Sequence, residues 1–163
     1  YDSIPNHLFR KPILFTNMTP LGIMPTYRKL FIVMPKKFYS NNQNRYIKYS
    51  EIFKLGAAFF STSEQYINNN IDVVENSPKE ILEATKEMLI YKDSKIDENN
   101  DQQKLEKLFW DLLKDNGNKI FKSDKNKFKD HELSIFNTLR SNTILAKFSH
   151  SYLKSNIRLF NDL

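Results

Sequence analysis

The chain has 163 residues, 40% of them hydrophobic and 13% aromatic, with a formal charge of +6 and no cysteine. That length and apolar content are enough for one domain with a real core and exclude a disordered chain. The missing cysteines exclude disulfides and thiolate metal sites, and no apolar run approaches the roughly 18 to 20 residues that span a bilayer. Charge is unevenly spread: residues 1–60 hold nine Lys/Arg against two Asp/Glu, 61–100 four against nine, and 101–163 twelve against eight. A basic first third suits a phosphate-bearing ligand, an anionic membrane surface or nucleic acid, or it is a solvated lysine-rich surface.

The chain opens with Tyr1 in mid-pattern, which reads as a fragment or processed piece. Residues 4–10 look like a helix end that Pro12 stops. The run ILFT (13–16) is continuous and apolar, the mark of a strand buried on both faces, and LFIVM (30–34) repeats it. Between them, residues 17–28 form a loop built on Asn17, Pro20, Gly22 and Pro25. Residues 36–46 are polar and Asn-rich and read as loop. A short helix over 49–60 carries Ile52, Phe53 and Leu55 with Gly56 near its end. A second follows, with Ser61 and Ser63 as candidate caps, and IDVVE (71–75) reads as a third strand.

The clearest local signal is NSPKEILEATKEMLIY (76–91). Ser77 is the N-cap, Pro78 takes the first helical position and Glu80 closes a capping box. Ile81, Leu82, Thr85, Met88 and Leu89 fall on one face, so a strand runs into a capped helix as in a layered α/β domain. Residues 93–103 read as a charged linker. A further helix has Leu105, Leu108, Phe109, Leu112 and Leu113 in a stripe and Gly117 as its stop. Residues 118–130 read as a basic connection, and a last helical stretch from His131 to Phe160 is broken near 141–143. The resulting division is an α/β part over 1–92, the linker 93–103 and a helical region over 104–163.

With three glycines in all, neither a dinucleotide fingerprint nor a P-loop can be written. His7, His131 and His150 are far apart and lack ligand-spaced partners, so no metal is expected. The stretch KKFYSNNQNRYIKY (36–49) interleaves bases and rings, as a stacking platform or an anionic membrane face would, but no RNA-binding signature accompanies it. The loop NMTPLGIMP (17–25) has the better logic. It leaves the carboxyl end of a strand, where open α/β sheets bind ligands. Asn17 can donate and accept, the prolines stiffen the loop and Gly22 lets backbone come close; a tight connection without a ligand is the competing reading.

The segment SIPNHLFRKPILFTNMTPLG (3–22) resembles part of a bacterial glycosyltransferase family of the surface-polysaccharide type. That family is related in its C-terminal half to GT-B enzymes and UDP-N-acetylglucosamine 2-epimerases. Its pattern is a Ser-Gly loop, a helix, Phe-Arg-Lys-Pro, a strand and Asn-x-x-Pro-Leu-Gly. Phe9, Arg10, Lys11, Pro12, Asn17, Pro20, Leu21 and Gly22 match it, and the likeness continues through 31–39, 51–60, 63–88 and KLFW (107–110), weakening after 118. The resemblance implies an α/β fold: a partial Rossmann-like C-terminal half of a GT-B-type fold, with short parallel strands, flanking helices and a helical C-terminus. It implies transfer of a sugar from a nucleotide sugar to a cell-surface glycan or lipid-linked acceptor, with no cofactor or metal, by an enzyme whose N-terminal domain is missing here. By the same resemblance Asp2 and Ser3 sit on the helix behind the Ser-Gly loop, and Asn17, Thr19, Pro20, Leu21 and Gly22 form the neighbouring donor loop. Where related enzymes grip the ribose with a carboxylate, Ile4 or Pro5 stands here. The location implied is cytoplasmic, at the inner face of the membrane, with no nucleic-acid partner. The alternative is a non-enzymatic basic α/β module resting on an anionic membrane.

Overall fold

The computed structural model describes residues 11–25, 31–91, 100–123 and 144–161. Both apolar runs are strands, β1 (Ile13–Met18) and β2 (Phe31–Pro35), paired in parallel with Ile13 opposite Phe31 and Phe15 opposite Val33. All five residues of β2 are buried because it is the central strand. β1 is an edge and only half-buried. Its register breaks between Phe15 and Met18, where Asn17 takes φ 54°, a left-handed conformation that asparagine tolerates better than most residues.

The stretch 36–46 corrects the loop expectation. It is a hairpin of β3 (Lys37–Ser40) and β4 (Arg45–Tyr46), and β3 also pairs antiparallel with β5 (Ile71–Val74). The pairing sets Phe38 opposite Val73, and Phe38 is fully buried against Tyr66. One buried ring among polar neighbours carries the strand, and Asn44 at φ 49° makes the turn.

α1 (Tyr49–Leu55) ends at Gly56 with φ 79°, where the left-handed residue must be nearly free of side chain. Ile52 and Phe53 are buried as the pattern predicts, whereas Leu55 is exposed. In α2 (Ser63–Asn68) the cap is neither serine but Thr62, whose Oγ1 accepts from Gln65 N–H while Gln65 Oε1 accepts from Thr62 N–H. α3 (Pro78–Tyr91) has the capping box the sequence spells. Glu80 Oε2 accepts from Ser77 N–H at 2.7 Å, and Glu80 N–H donates to Ser77 Oγ. Its buried face centres on Ala84 with Ile81, while Leu82 and Leu89 point outward.

α4 (Asn100–Ser123) is longer than its stripe suggested and runs straight through Gly117. Glycine stops a helix only when the chain has somewhere else to go. Here Ile120 continues the apolar stripe and lies over Gly56, 3.1 Å from where a Cβ would stand. Residues 118–123 are therefore helix, not connection. The expected helix over 131–160 is also corrected within the described part. Lys147–Phe148 form β6, a third parallel strand beside β2, followed by α5 (His150–Ser155) and α6 (Ile157–Phe160). The expected break at 141–143 lies outside the described residues.

The fold is thus mixed α/β: a parallel sheet in the order β1-β2-β6, and an antiparallel one in the order β4-β3-β5. One core joins them. Tyr49, Phe53, Phe109, Trp110, Phe148 and Phe160 meet edge to face, tilted or stacked, with centroids 4.8–5.9 Å apart. This aromatic cluster draws on residues either side of the 93–103 boundary.

Candidate functional site

At the carboxyl end of the parallel sheet the chain uses its polar groups in two ways. Asn17 is consumed internally. Its N–H donates to Asn76 Oδ1 at 2.8 Å, and its Oδ1 accepts from Asn76 N–H at 2.6 Å. Asn76 is buried, and its Nδ2 donates to Pro35 O at 2.9 Å. The reciprocal pair ties the end of β1 to the β5–α3 connection, so Asn17 shapes the loop through its backbone N–H and Oδ1.

Leu21 and Gly22 form a buried 3-10 turn. A Cβ on Gly22 would stand 2.2 Å from Phe59 Cδ1, so this glycine exists for close packing against the ring. Thr19 and Pro20 differ: they line an open cleft of about 380 Å³. Asp2 and Ser3 lie outside the described residues. Of the expected site residues, the structure brings Thr19 and Pro20 to a cavity and gives Asn17, Leu21 and Gly22 to the loop's architecture.

The rest of the cleft comes from Lys36 at the end of β2, Phe60, the hydroxyl run Ser61-Thr62-Ser63, Tyr66 and Ile67 of α2, and Ile71, Asp72 and Val73 of β5. Tyr66 organises it. Its OH donates to Phe60 O at 3.1 Å, which leaves Thr19 Oγ1, 3.2 Å away, as the donor to it. Burial raises the Tyr66 pKa above its usual range against the lowering bond from Thr19, so it is a neutral phenol at physiological pH. Among the described residues Lys36 Nζ meets the exposed Glu75, at 3.4 Å, a pairing that solvent weakens and an anion could displace. The arrangement offers hydroxyls, one cation, one carboxylate and an aromatic wall. The sequence signal was Ser61-Thr62-Ser63, which reads locally as caps and nothing more.

A second polar cluster is structural. Glu80 accepts from Lys37 Nζ at 2.9–3.0 Å and from Asn156 Nδ2 at 2.8 Å besides its capping bonds. Burial pushes this carboxyl up, but the bonds from Asn156, Lys37 and Ser77 outweigh it and hold it at about 2. It is ionised and fully engaged, not a proton donor. Beside it Tyr152 OH donates to Pro35 O at 3.0 Å, and Tyr49 and Tyr152 share a 2.6 Å bond, both phenols raised by burial. Within the stretch 36–49, Phe38 and Tyr49 are core, Lys37 is held by Glu80, and Arg45 is held by Glu51 at 2.6–2.8 Å. Tyr39 and Tyr46 pack edge to face on the hairpin, and Tyr46 is exposed.

No group of His, Asp or Glu among the described residues is placed to hold a metal ion, and no described helix is long and apolar enough to cross a membrane. No protein-family model, curated protein or solved structure matches the chain.

Proposed function

We propose that this chain is the donor-side part of a GT-B-like glycosyltransferase, and that the cleft at Thr19 and Pro20 receives part of a nucleotide sugar. The observation that carries the reading is the placing of that cleft. It opens where β1 and β2 end, at the carboxyl edge of a parallel sheet, and is walled by hydroxyls, Lys36 and Asp72. In this reading β1-β2-β6 is the partial Rossmann-like layer.

The chemistry would be mainly positioning and charge stabilisation. Lys36 supplies a cation for phosphate oxygens, and Asp72 accepts from sugar hydroxyls. Ser61, Thr62 and Thr19 offer further hydrogen bonds, and Phe60 and Tyr66 give an apolar wall. The acceptor would be a surface glycan or lipid-linked sugar carried by the remainder of the enzyme. A nucleotide-sugar binding screen on this chain tests the reading, with Lys36→Gln and Asp72→Asn as comparisons. Saturable binding that both changes weaken, at unchanged thermal stability, supports it.

A further inference from the structure

A second cavity, of about 350 Å³, shares no residue with the cleft at Thr19. It runs along the edge of β6 away from β2, its one strand partner among the described residues. Ile144, Leu145 and Ala146 give it an apolar wall, and α4 supplies the other with Glu106, Trp110 and Lys114, spaced four residues apart on one helical face.

The cavity is lined by charges of both signs, the carboxyls of Glu106 and Asp111 and the cations Lys107, Lys114 and Lys147. Glu106 Oε1 already accepts from Phe148 N–H at 3.0 Å, which covers the strand's open edge. Lys107 is tied to Asp111. Lys114 has no ion-pair partner among the described residues. Trp110 is 5% exposed and stacks on Phe148 at 5.3 Å. Its Nε1–H is the one buried side-chain polar atom among the described residues without a partner. Native proteins rarely leave such a donor orphaned without a reason. Lys114 Nζ and Trp110 Nε1–H are two donors without a partner among the described residues beside an apolar wall, and together they suit an acceptor group on an apolar body.

We propose that this cavity binds a small amphipathic anion, a carboxylate or phosphate monoester whose headgroup is taken by Lys114 and whose apolar body lies between Trp110 and the wall of Ile144, Leu145 and Ala146. A ligand that parts these walls slightly also gives the indole N–H the acceptor it lacks. The proposal is independent of the donor-site reading.

Trp110 is the only tryptophan in the chain, so its emission reports on this cavity directly. The full chain is titrated with octanoate and with octyl phosphate, with 1-octanol and inorganic phosphate as controls, and retention is measured in parallel by equilibrium dialysis. The expected result is saturable binding of at least one of the two anions, weakened about tenfold or more in Lys114→Gln, as loss of a charge-assisted bond requires. Binding is kept in Lys114→Arg and in Lys122→Gln, a change at an exposed lysine near the end of the same helix. If octanoate alone binds, the headgroup is a carboxylate; if octyl phosphate alone binds, a phosphate. The proposal is overturned if neither anion is retained, if Lys114→Gln binds as wild type does, or if octanol or inorganic phosphate binds equally well.

Discussion

Replacing Glu106 with glutamine should stabilise the protein above neutral pH and change it much less in mild acid. Burial pushes this carboxyl up against the lowering bond from Phe148 N–H, and the charge of Glu87 adds to the rise, bringing it from the ordinary 4.5 to about 7. The other charged groups at the cavity are Lys107, Asp111 and Lys114 on its own helix and Lys147 on β6. The folded state therefore holds this proton more tightly than the unfolded chain does between pH 4.5 and about 7. Stability falls as pH rises through that window. At full value the shift is worth ~3 kcal/mol, and solvent in the cavity reduces it to roughly 1–2 kcal/mol. Glutamine keeps an Oε1 to accept from Phe148 N–H and removes the charge. In a domain of this size that gain is a rise in Tm of about 3–8 °C at pH 8.5. Thermal melts of both proteins at pH 5, 7 and 8.5 read it. A Tm difference of the same size at pH 5 and pH 8.5, or a loss at both, would refute the reasoning.

Glu80 gives the opposite dependence. Its carboxyl is held at about 2 in the fold, so its contribution is present at neutral pH and is lost as pH falls from about 4.5 towards 2. Lys37→Met should flatten the acid limb of the stability–pH curve. Gly22→Ala should cost about 1–3 kcal/mol, because the new methyl meets the Phe59 ring and the ring must shift; urea unfolding measures it. Asn17→Ala should cost roughly 2–4 kcal/mol, since it orphans the N–H of Asn76 and places alanine at φ 54°. Asn17→Gly, which relieves the backbone but not the lost bond, should recover about 1 kcal/mol of that in the same assay.

What the sequence made legible was what local chemistry decides. Two uninterrupted apolar runs became parallel strands, and Ser77, Pro78 and Glu80 placed a helix start to the residue. What it hid depended on distant partners. β3 rests on one buried ring, Phe38, whose alternation is drowned by Lys37, Tyr39 and an Asn-rich turn. β6 is two residues long and exists because β2 has a free edge beside it. Gly117 looks like a stop until Ile120 is seen to need the helix to go on. The candidate cleft was legible only at Thr19 and Pro20. Its remaining walls come from Lys36 and from residues 60–73, which no local spacing joins to that loop.

Ligand-observed NMR of the chain with a panel of UDP-, GDP- and CMP-sugars tests whether the cleft at Thr19 and Pro20 is a donor site. The expected result is saturable binding of one nucleotide sugar, reduced about tenfold by Lys36→Gln while the melting temperature stays within a degree or so of wild type. A folded protein that contacts none of them, or binds one equally well in Lys36→Gln and Asp72→Asn, would contradict it.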